Sequence, residues 1–151
     1  MVMVDVAHGK PTYASPQWGS YFKYLAVDGD ETADNFYASG DYITQPWWIV
    51  DLGKQFTIYR VIVLPRWDYF YTRFHDVEVR VGDELVTSGD LSSYKLFSTY
   101  TGPYSPDQEF LYCNRMDGVA GRYLSIQRIG SVIADLLQLC EIFVMVPDIN
   151  I

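Results

Sequence analysis

Two arginines, an aspartate and four aromatic residues lie within one short stretch, residues 66–73, which read Arg-Trp-Asp-Tyr-Phe-Tyr-Thr-Arg. A guanidinium group presents a fixed fork of donors and accepts nothing, while an aromatic face is a flat apolar platform. A sugar needs both, because its ring presents oxygen acceptors on its edges and C–H groups on its face. The stretch therefore predicts a carbohydrate-binding site in which Asp68 orients Arg66 and Arg73.

A surface ion-pair cluster is the alternative interpretation of Arg66, Asp68 and Arg73. The Arg-x-Asp-x4-Arg spacing by itself favours that alternative. The four interleaved aromatics favour a binding site, because they cannot all be buried in one loop and exposed aromatic clusters mark binding surfaces.

An acidic segment, residues 28–34, reads Asp-Gly-Asp-Glu-Thr-Ala-Asp and is followed by Asp41. Oxygen-rich loops of this kind suit Ca²⁺, which takes six to eight oxygen ligands. The spacing does not match an EF-hand, and by itself it favours a solvated acidic turn. His8 and His75 lack metal-ligand spacing to another histidine or cysteine.

Composition excludes several classes of function. The net charge of −8 argues against nucleic acid or an anionic membrane as the partner, since both require a basic surface. No run of the roughly 18 apolar residues that a transmembrane helix needs is present. The sequence holds no G-x-S-x-G, H-E-x-x-H or glycine-rich phosphate loop, so no enzyme is predicted. A length of 151 residues predicts one domain, residues 1–151.

Short strands must position these residues, because the apolar segments are rich in β-branched and aromatic side chains. Strands are predicted at residues 47–53, 56–64, 77–81, 110–113, 123–128 and 137–146, separated by glycine-containing turns such as those at Gly53 and Gly118. Within 56–64 the alternation predicts one face that carries Phe56, Ile58, Ile62 and Leu64. Many short strands and no amphipathic helix predict an all-β sandwich or jelly roll.

Seven segments of the chain occur in the order found in one known family. They are residues 7–12 (AHGKPT), 26–30 (AVDGD), 46–53 (PWWIVDLG), 66–73 (R-x-D-x4-R), 77–82 (VEVRVG), 121–123 (GRY) and 139–141 (LCE). On these segments the chain resembles the F-type lectins, or fucolectins. The resemblance implies a discoidin-like β-sandwich (jelly roll), binding of L-fucose or fucosylated glycans and glycoproteins, one structural Ca²⁺, and a secreted or extracellular location.

The resemblance also implies roles for individual residues of the sugar site. Arg66 and Arg73 would donate to the fucose ring oxygen and hydroxyls, and Asp68 would orient them. The remaining sugar-site residues are aromatic: Phe36 and Tyr37 match a pair that lines the pocket for the sugar methyl group, Tyr69 and Phe70 replace two adjacent half-cystines that contact the sugar, and Trp18 or Tyr21 closes the pocket.

One polar contact of the family motif is missing from this chain. The family has a histidine before Pro-Trp-Trp, whereas the loop from Gly40 to Gln45 contains none. Thr44, Gln45 or Asp41 would replace it, or the contact is absent. Loss of one such hydrogen bond costs on the order of 1–3 kcal/mol, which is about tenfold to a hundredfold in affinity.

A calcium ligand set is likewise implied by the resemblance. Asp28 and Glu141 match side-chain ligands, Leu25, Asp30 and Cys140 match backbone carbonyl ligands, and Asp41 or Gly40 falls near the position of a serine ligand. This resemblance changes the interpretation of the acidic segment from a solvated turn to a metal loop.

Two further points concern the cysteines and a second class of function. Cys113 and Cys140 match cysteines of two different family disulfides whose partners are absent here, so they are either free buried thiols or a new pair. The alternative function is a discoidin-like module that binds protein or phospholipid surfaces through loop aromatics such as Trp67 and Tyr71. Weak binding at one site is usually offset by multivalency, so an oligomer or tandem repeat is expected.

Overall fold

The chain folds into an antiparallel β-structure, described here from a computed structural model that covers residues 2–130 and 135–148. Its strands are β1 (Met3–Asp5), β2 (Thr12–Ala14), β3 (Tyr37–Ala38), β4 (Trp47–Pro65), β5 (Val77–Gly82), β6 (Lys95–Tyr100), β7 (Leu111–Arg128) and β8 (Gln138–Pro147). Three short 3₁₀ turns occupy Lys23–Val27, Tyr71–Arg73 and Pro106–Gln108. The predicted all-β class is confirmed. Within the described ranges, no helix has the length and apolar character needed to span a membrane.

Two long strands are shared by both layers of the sandwich. The strand order is β1-β8-β4-β7-β5-β6, with β2 added to β4 and β3 added to β8. The first part of β4 pairs with β2 and the end of β7, whereas its last part, from Arg60 to Pro65, pairs with β8. Apolar side chains from both layers enclose one core, which includes Val50 and Leu124 from one side and Ile142 and Val144 from the other.

Irregular pairing between β4 and β7 lets these strands bend from one layer into the other. The register shifts between Asp51 and Phe56 and again between Ile58 and Arg60. Gly53 and Gly118 have φ values of 90° and 69°, a region that favours glycine. The turns predicted at these two glycines are therefore wrong as chain reversals, because each strand continues through them.

The second shift also changes which side chains of β4 face the core. Ile58 is buried in the main core together with Val61 and Val63, while Ile62 is half-buried. The uninterrupted alternation predicted for residues 56–64 is wrong beyond Ile58. A register irregularity between Ile58 and Arg60 moves the inward face from even-numbered to odd-numbered positions.

Short strands outside the predicted set fix the segments that lead to the site. Strand β3 pairs with the start of β8, with Tyr37 opposite Leu139 and Ala38 opposite Gln138. Arg66 follows the end of β4, and its backbone N–H donates to the carbonyl of Gln138 at 3.4 Å. The ends of β3, β4 and β8 therefore meet beside the stretch that carries both arginines.

Candidate functional site

The ends of these strands and the loop after β4 enclose a pocket of about 270 Å³. Its described lining combines four aromatic side chains, Trp18, Tyr21, Phe36 and Phe70, with four polar ones, Asp41, Arg66, Arg73 and Gln138. We call this site the arginine pocket. Pockets for drug-sized ligands span roughly 300–1,000 Å³, so this one suits a ligand of about one sugar ring.

Arg66 is held by a carboxylate on one side and by aromatic rings on the other. Its Nε donates to Oδ1 of Asp68, and its second terminal nitrogen donates to Oδ2 of Asp68 at 3.3 Å. Its guanidinium carbon lies 4.6 Å from the centre of the Phe36 ring, and that ring stacks on Tyr21 at 4.6 Å. A forked ion pair plus stacking fixes the plane of the guanidinium, so its remaining N–H donors keep one direction.

Phe70 contacts both arginines. The guanidinium carbons of Arg66 and Arg73 lie 4.8 Å and 4.0 Å from the centre of its ring, within the range of a cation–π interaction. Asp68, which was predicted to lie between the arginines, pairs with Arg66 and with no other described cation. The common support of the two arginines is therefore Phe70.

A buried arginine that sequence reasoning missed holds the backbone of this loop. Arg128, at the end of β7, is fully buried and donates to the carbonyl oxygens of Arg73, His75 (2.7 Å) and Asp135 (2.6 Å). Burial lowers the pKa of Arg128 from its ordinary value. The signal in the sequence was Arg128 itself, the one charged residue of the predicted strand at residues 123–128.

Three of the predicted sugar-site residues lie elsewhere. Tyr37 is fully buried in the main core and its hydroxyl lies 3.4 Å from the Ser15 hydroxyl, because successive residues of a strand face opposite sides and Phe36 faces the pocket. Tyr69 is 90% exposed and does not line the pocket. Thr44 lines a separate cleft, and the carbonyl of the adjacent Gln45 accepts a hydrogen bond from Gln127 at 3.0 Å.

Asp41 lies in the arginine pocket, which neither Asp28 nor Glu141 lines. The structure therefore does not group Asp41 with the other predicted metal ligands. The loop that follows β3 carries it towards Arg66 and Arg73 instead. Its position agrees with the alternative in which Asp41 replaces the missing histidine of the sugar site.

The acidic segment forms a compact loop around Asp28 and Asn35. The Asp28 carboxylate accepts hydrogen bonds from the backbone N–H of Asp30 at 3.0 Å and from the Asn35 amide at 3.0 Å and 3.1 Å. The same amide donates to the carbonyl of Asp30 at 3.2 Å. These bonds bring carboxylate and carbonyl oxygens together, although no cluster of three or more His, Cys, Asp or Glu side chains is found among the described residues.

Glu141 lies on β8 beside that loop and is almost completely buried. Its carboxylate accepts hydrogen bonds from the Gly29 backbone N–H at 3.1 Å and 3.3 Å, and it forms no salt bridge with a described lysine, arginine or histidine. Burial, together with the carboxylates of Asp28, Asp5 and Glu31, raises the pKa of Glu141 to about 8. A buried carboxylate is normally paired with a cation or bound to a metal ion.

Both cysteines are free thiols, as the first of the two sequence interpretations had it. Cys140 is buried and Cys113 is half-buried. Burial raises the pKa of the Cys140 thiol to about 12 and raises that of Cys113 as well. Neither thiol is therefore a reactive thiolate at neutral pH.

Comparison with known proteins identifies the family. The family model described as "NedA-like, galactose-binding domain", of the F5/F8 type C group, matches residues 25–126. The chain belongs to this family. A curated relative of this galactose-binding-like domain is Fucolectin-5 of Anguilla japonica, which is 28% identical over 120 residues, or 78% of this chain. The chain spans 60% of the length of that relative.

Solved structures share the fold of this galactose-binding-like domain. A fucolectin from Morone saxatilis (striped bass) superposes with a TM-score of 0.84 at 22% identity, over 96% of this chain and 49% of that chain. The Streptococcus pneumoniae fucose binding module SpX-3 gives 0.75 at 21%, over 93% and 96% of the two chains. The family 32 module of C. perfringens NanJ, solved with galactose, gives 0.75 at 14%, over 95% and 99%. The predicted discoidin-like β-sandwich and the resemblance to fucolectins are confirmed.

Proposed function

We propose that this domain is a non-catalytic lectin that binds L-fucose or fucosylated glycans in the arginine pocket. The observation that carries the proposal is the convergence of Arg66 and Arg73 on the ring of Phe70 in a pocket of about 270 Å³. Relatives described as a fucolectin and as a fucose binding module support the same ligand class.

The chemistry of the pocket matches a deoxy sugar. Arginine donors suit the ring oxygen and hydroxyls, and their planes are fixed in advance, which lowers the entropic cost of binding. The stacked rings of Tyr21 and Phe36, with Trp18 beside them in the lining, form an apolar wall. An apolar wall suits the methyl group and C–H face of fucose. A carbon that carries a hydroxyl group would be disfavoured against this wall, because the hydroxyl would lose its hydration.

The polar groups of the pocket also support a binding role over a hydrolytic one. Glycosidases of the common type use two carboxyl groups that flank the scissile bond. Asp41 is the single carboxylate in the described lining, and arginine does not lose its proton in proteins. The pocket therefore offers arginine donors and a single carboxylate, but no pair of groups for acid–base catalysis.

Titration calorimetry with L-fucose tests this proposal. We expect the folded wild-type protein to bind, and Arg73→Met to weaken binding by about tenfold to a hundredfold or more, because charge-assisted hydrogen bonds to the sugar are lost. Arg60→Met is the matched control, since Arg60 stacks on Tyr112 and bonds Asn114 away from the pocket. Absence of binding by folded wild-type protein at millimolar fucose contradicts the proposal.

A surface-binding module is the second candidate function, because Tyr69 is 90% exposed and Trp67 40% exposed beside the pocket. Tyr71, the other predicted spike, packs against the main core instead. The net charge of −8 opposes anionic lipid. We expect no co-sedimentation with phosphatidylserine vesicles; sedimentation that Tyr69→Ala abolishes contradicts this expectation and supports the second function.

We also propose that the acidic loop holds one Ca²⁺. The donor set fits a hard cation: carboxylates of Asp28 and Glu141, with the backbone carbonyls of Leu25, Asp30 and Cys140. The register between β4 and β8 passes from Leu64 opposite Glu141 to Pro65 opposite Leu139, so Cys140 is the extra residue of a bulge. Bulged residues lie outside the ladder, which frees the Cys140 carbonyl for a cation. The ion would neutralise the buried Glu141 carboxylate and tie the loop to β8.

An extracellular setting follows from the proposed ligand. Fucosylated glycans and glycoproteins are displayed on cell surfaces and in secretions, and a calcium-stabilised lectin would meet them there. Recognition by one small pocket is weak, so we propose that several copies act together, in an oligomer or a tandem array.

A further inference from the structure

Gln138 is a buried polar residue of the arginine pocket that has no assigned role. Its side chain is 4% exposed and lines the pocket. Its amide oxygen is the one buried side-chain polar atom without a hydrogen-bond partner among the described residues. An unpaired buried acceptor destabilises the folded state. A ligand in the pocket that donates a hydrogen bond to this oxygen would remove that cost.

The backbone fixes Gln138 next to the sugar-binding arginine. Gln138 is the first residue of β8 and pairs with Ala38 of β3. Its own carbonyl accepts the backbone N–H of Arg66 at 3.4 Å. Because both strands anchor this position, the side chain starts from a rigid point at the edge of the pocket. The terminal torsion of glutamine is broad and roughly two-fold, so rotation of the amide turns its oxygen to a ligand.

The balance of donors and acceptors in the pocket explains what this oxygen would bind. Arg66 and Arg73 only donate, whereas each sugar hydroxyl brings a proton that needs an acceptor. The Asp68 carboxylate already accepts two hydrogen bonds from Arg66. The side-chain acceptors left in the described lining are the Asp41 carboxylate, the Tyr21 hydroxyl and the Gln138 amide oxygen. Of these three, only the Gln138 oxygen is buried without a partner.

We propose that the side-chain carbonyl of Gln138 accepts a hydrogen bond from one hydroxyl of the bound sugar and thereby helps to determine specificity. This inference rests on the proposed lectin function and deepens it. The contact would add a second acceptor to the one that Asp41 supplies in the same pocket. A site that needs this hydroxyl rejects a sugar that lacks it, because Gln138 then stays unpaired.

Gln127 provides a matched control within the same chain. It is also a buried glutamine, 7% exposed, but its amide donates to the carbonyls of Gln45 at 3.0 Å and Gly89 at 2.9 Å. Gln127 is therefore satisfied by the protein, whereas Gln138 is not. Replacement by methionine keeps the length of both side chains and removes their hydrogen bonding.

Calorimetry and thermal melting of the wild type, Gln138→Met and Gln127→Met test the proposal. We expect Gln138→Met to bind L-fucose about tenfold to a hundredfold more weakly with an unchanged or raised melting temperature, since a buried unpaired acceptor is removed. Gln127→Met should melt at a lower temperature and bind fucose as the wild type does. One of the 2-, 3- and 4-deoxy derivatives of L-fucose should bind the wild type more weakly than L-fucose does. Gln138→Met should bind that derivative and L-fucose with equal affinity, which is the mark of a direct contact.

Each outcome separates the inference from the function on which it rests. If the wild type binds no fucose, both are overturned. If the wild type binds and Gln138→Met binds equally well, or no deoxy sugar is coupled to it, the lectin function stands and this inference is overturned. If Gln138→Met does not fold, a fucose-soaked crystal of the wild type decides: a sugar oxygen within hydrogen-bond distance of the Gln138 amide supports the inference, and a larger separation overturns it.

Discussion

Replacement of Arg128 by methionine is expected to lower the free energy of unfolding by about 3 kcal/mol or more. Its guanidinium is fully buried and donates to the carbonyl oxygens of Arg73, His75 and Asp135. Each buried carbonyl that loses its donor costs roughly 1–3 kcal/mol, and methionine fills much of the space without restoring any of these bonds. Urea denaturation of both proteins measures the difference.

The control for this prediction is Arg115→Met. Arg115 also donates to two backbone carbonyls, those of Leu96 (2.9 Å) and Phe97 (3.2 Å), but it is half-buried and its bond to Leu96 is exposed, so water replaces part of the lost donation. We expect a cost below about 1 kcal/mol for it. Similar losses for the two variants would show that Arg128 is not a structural anchor.

Arg128 also connects stability to the arginine pocket. Because it fixes the carbonyl of Arg73, its loss should weaken fucose binding even in protein that is still folded. Phe70 and Asp68 hold the guanidinium ends of the two arginines, whereas Arg128 holds the backbone. The guanidinium groups are thus held at the pocket and the backbone is held in the interior, and both restraints would reduce the entropy lost on binding the proposed sugar.

The strand positions could be predicted because β-branched and aromatic residues alternate along them, as at Val77, Val79 and Val81 on β5. The continuity of β4 and β7 could not be predicted, because glycine followed by polar residues signals a turn and a bend equally well. Only the pairing shows that Gly53 lies within a strand that runs on to Pro65. The same bend reverses the inward face after Ile58, which no local period reveals.

The site was predictable where one short stretch carried the chemistry and unpredictable where distant segments meet. Arg66, Asp68 and Phe70 are close in sequence, and the structure brings them together. Tyr37 was misplaced because neighbouring residues of an extended segment face opposite sides, so that Phe36 lines the pocket and Tyr37 enters the core. Gln138 was missed because a single polar residue in an apolar run gives no sign of whether the protein satisfies it, a question that only tertiary contacts answer.

The second large effect is expected from calcium, and its size should depend on pH. Burial raises the pKa of Glu141 to about 8 from an ordinary 4.5, with further contributions from Asp28, Asp5 and Glu31. Between these two values the metal-free folded state retains a proton that the unfolded chain has lost. Folding stability without the metal therefore falls as the pH rises from about 4.5 to about 8. A bound cation removes this loss by neutralising the carboxylate, but below pH 8 it must first displace the proton.

Calcium at a hundred times its dissociation constant should add about 2.7 kcal/mol, or roughly 5–10 °C of melting temperature for a domain of this size. The shift between calcium and EDTA should be larger at pH 8 than at pH 6. Glu141→Gln keeps an acceptor for the Gly29 N–H but cannot ionise, so its melting temperature should depend neither on calcium nor, through this site, on pH. Equal melting of the wild type in calcium and EDTA at pH 8 contradicts the metal site. A shift of the same size at pH 6 and pH 8 would show that the ion binds without Glu141.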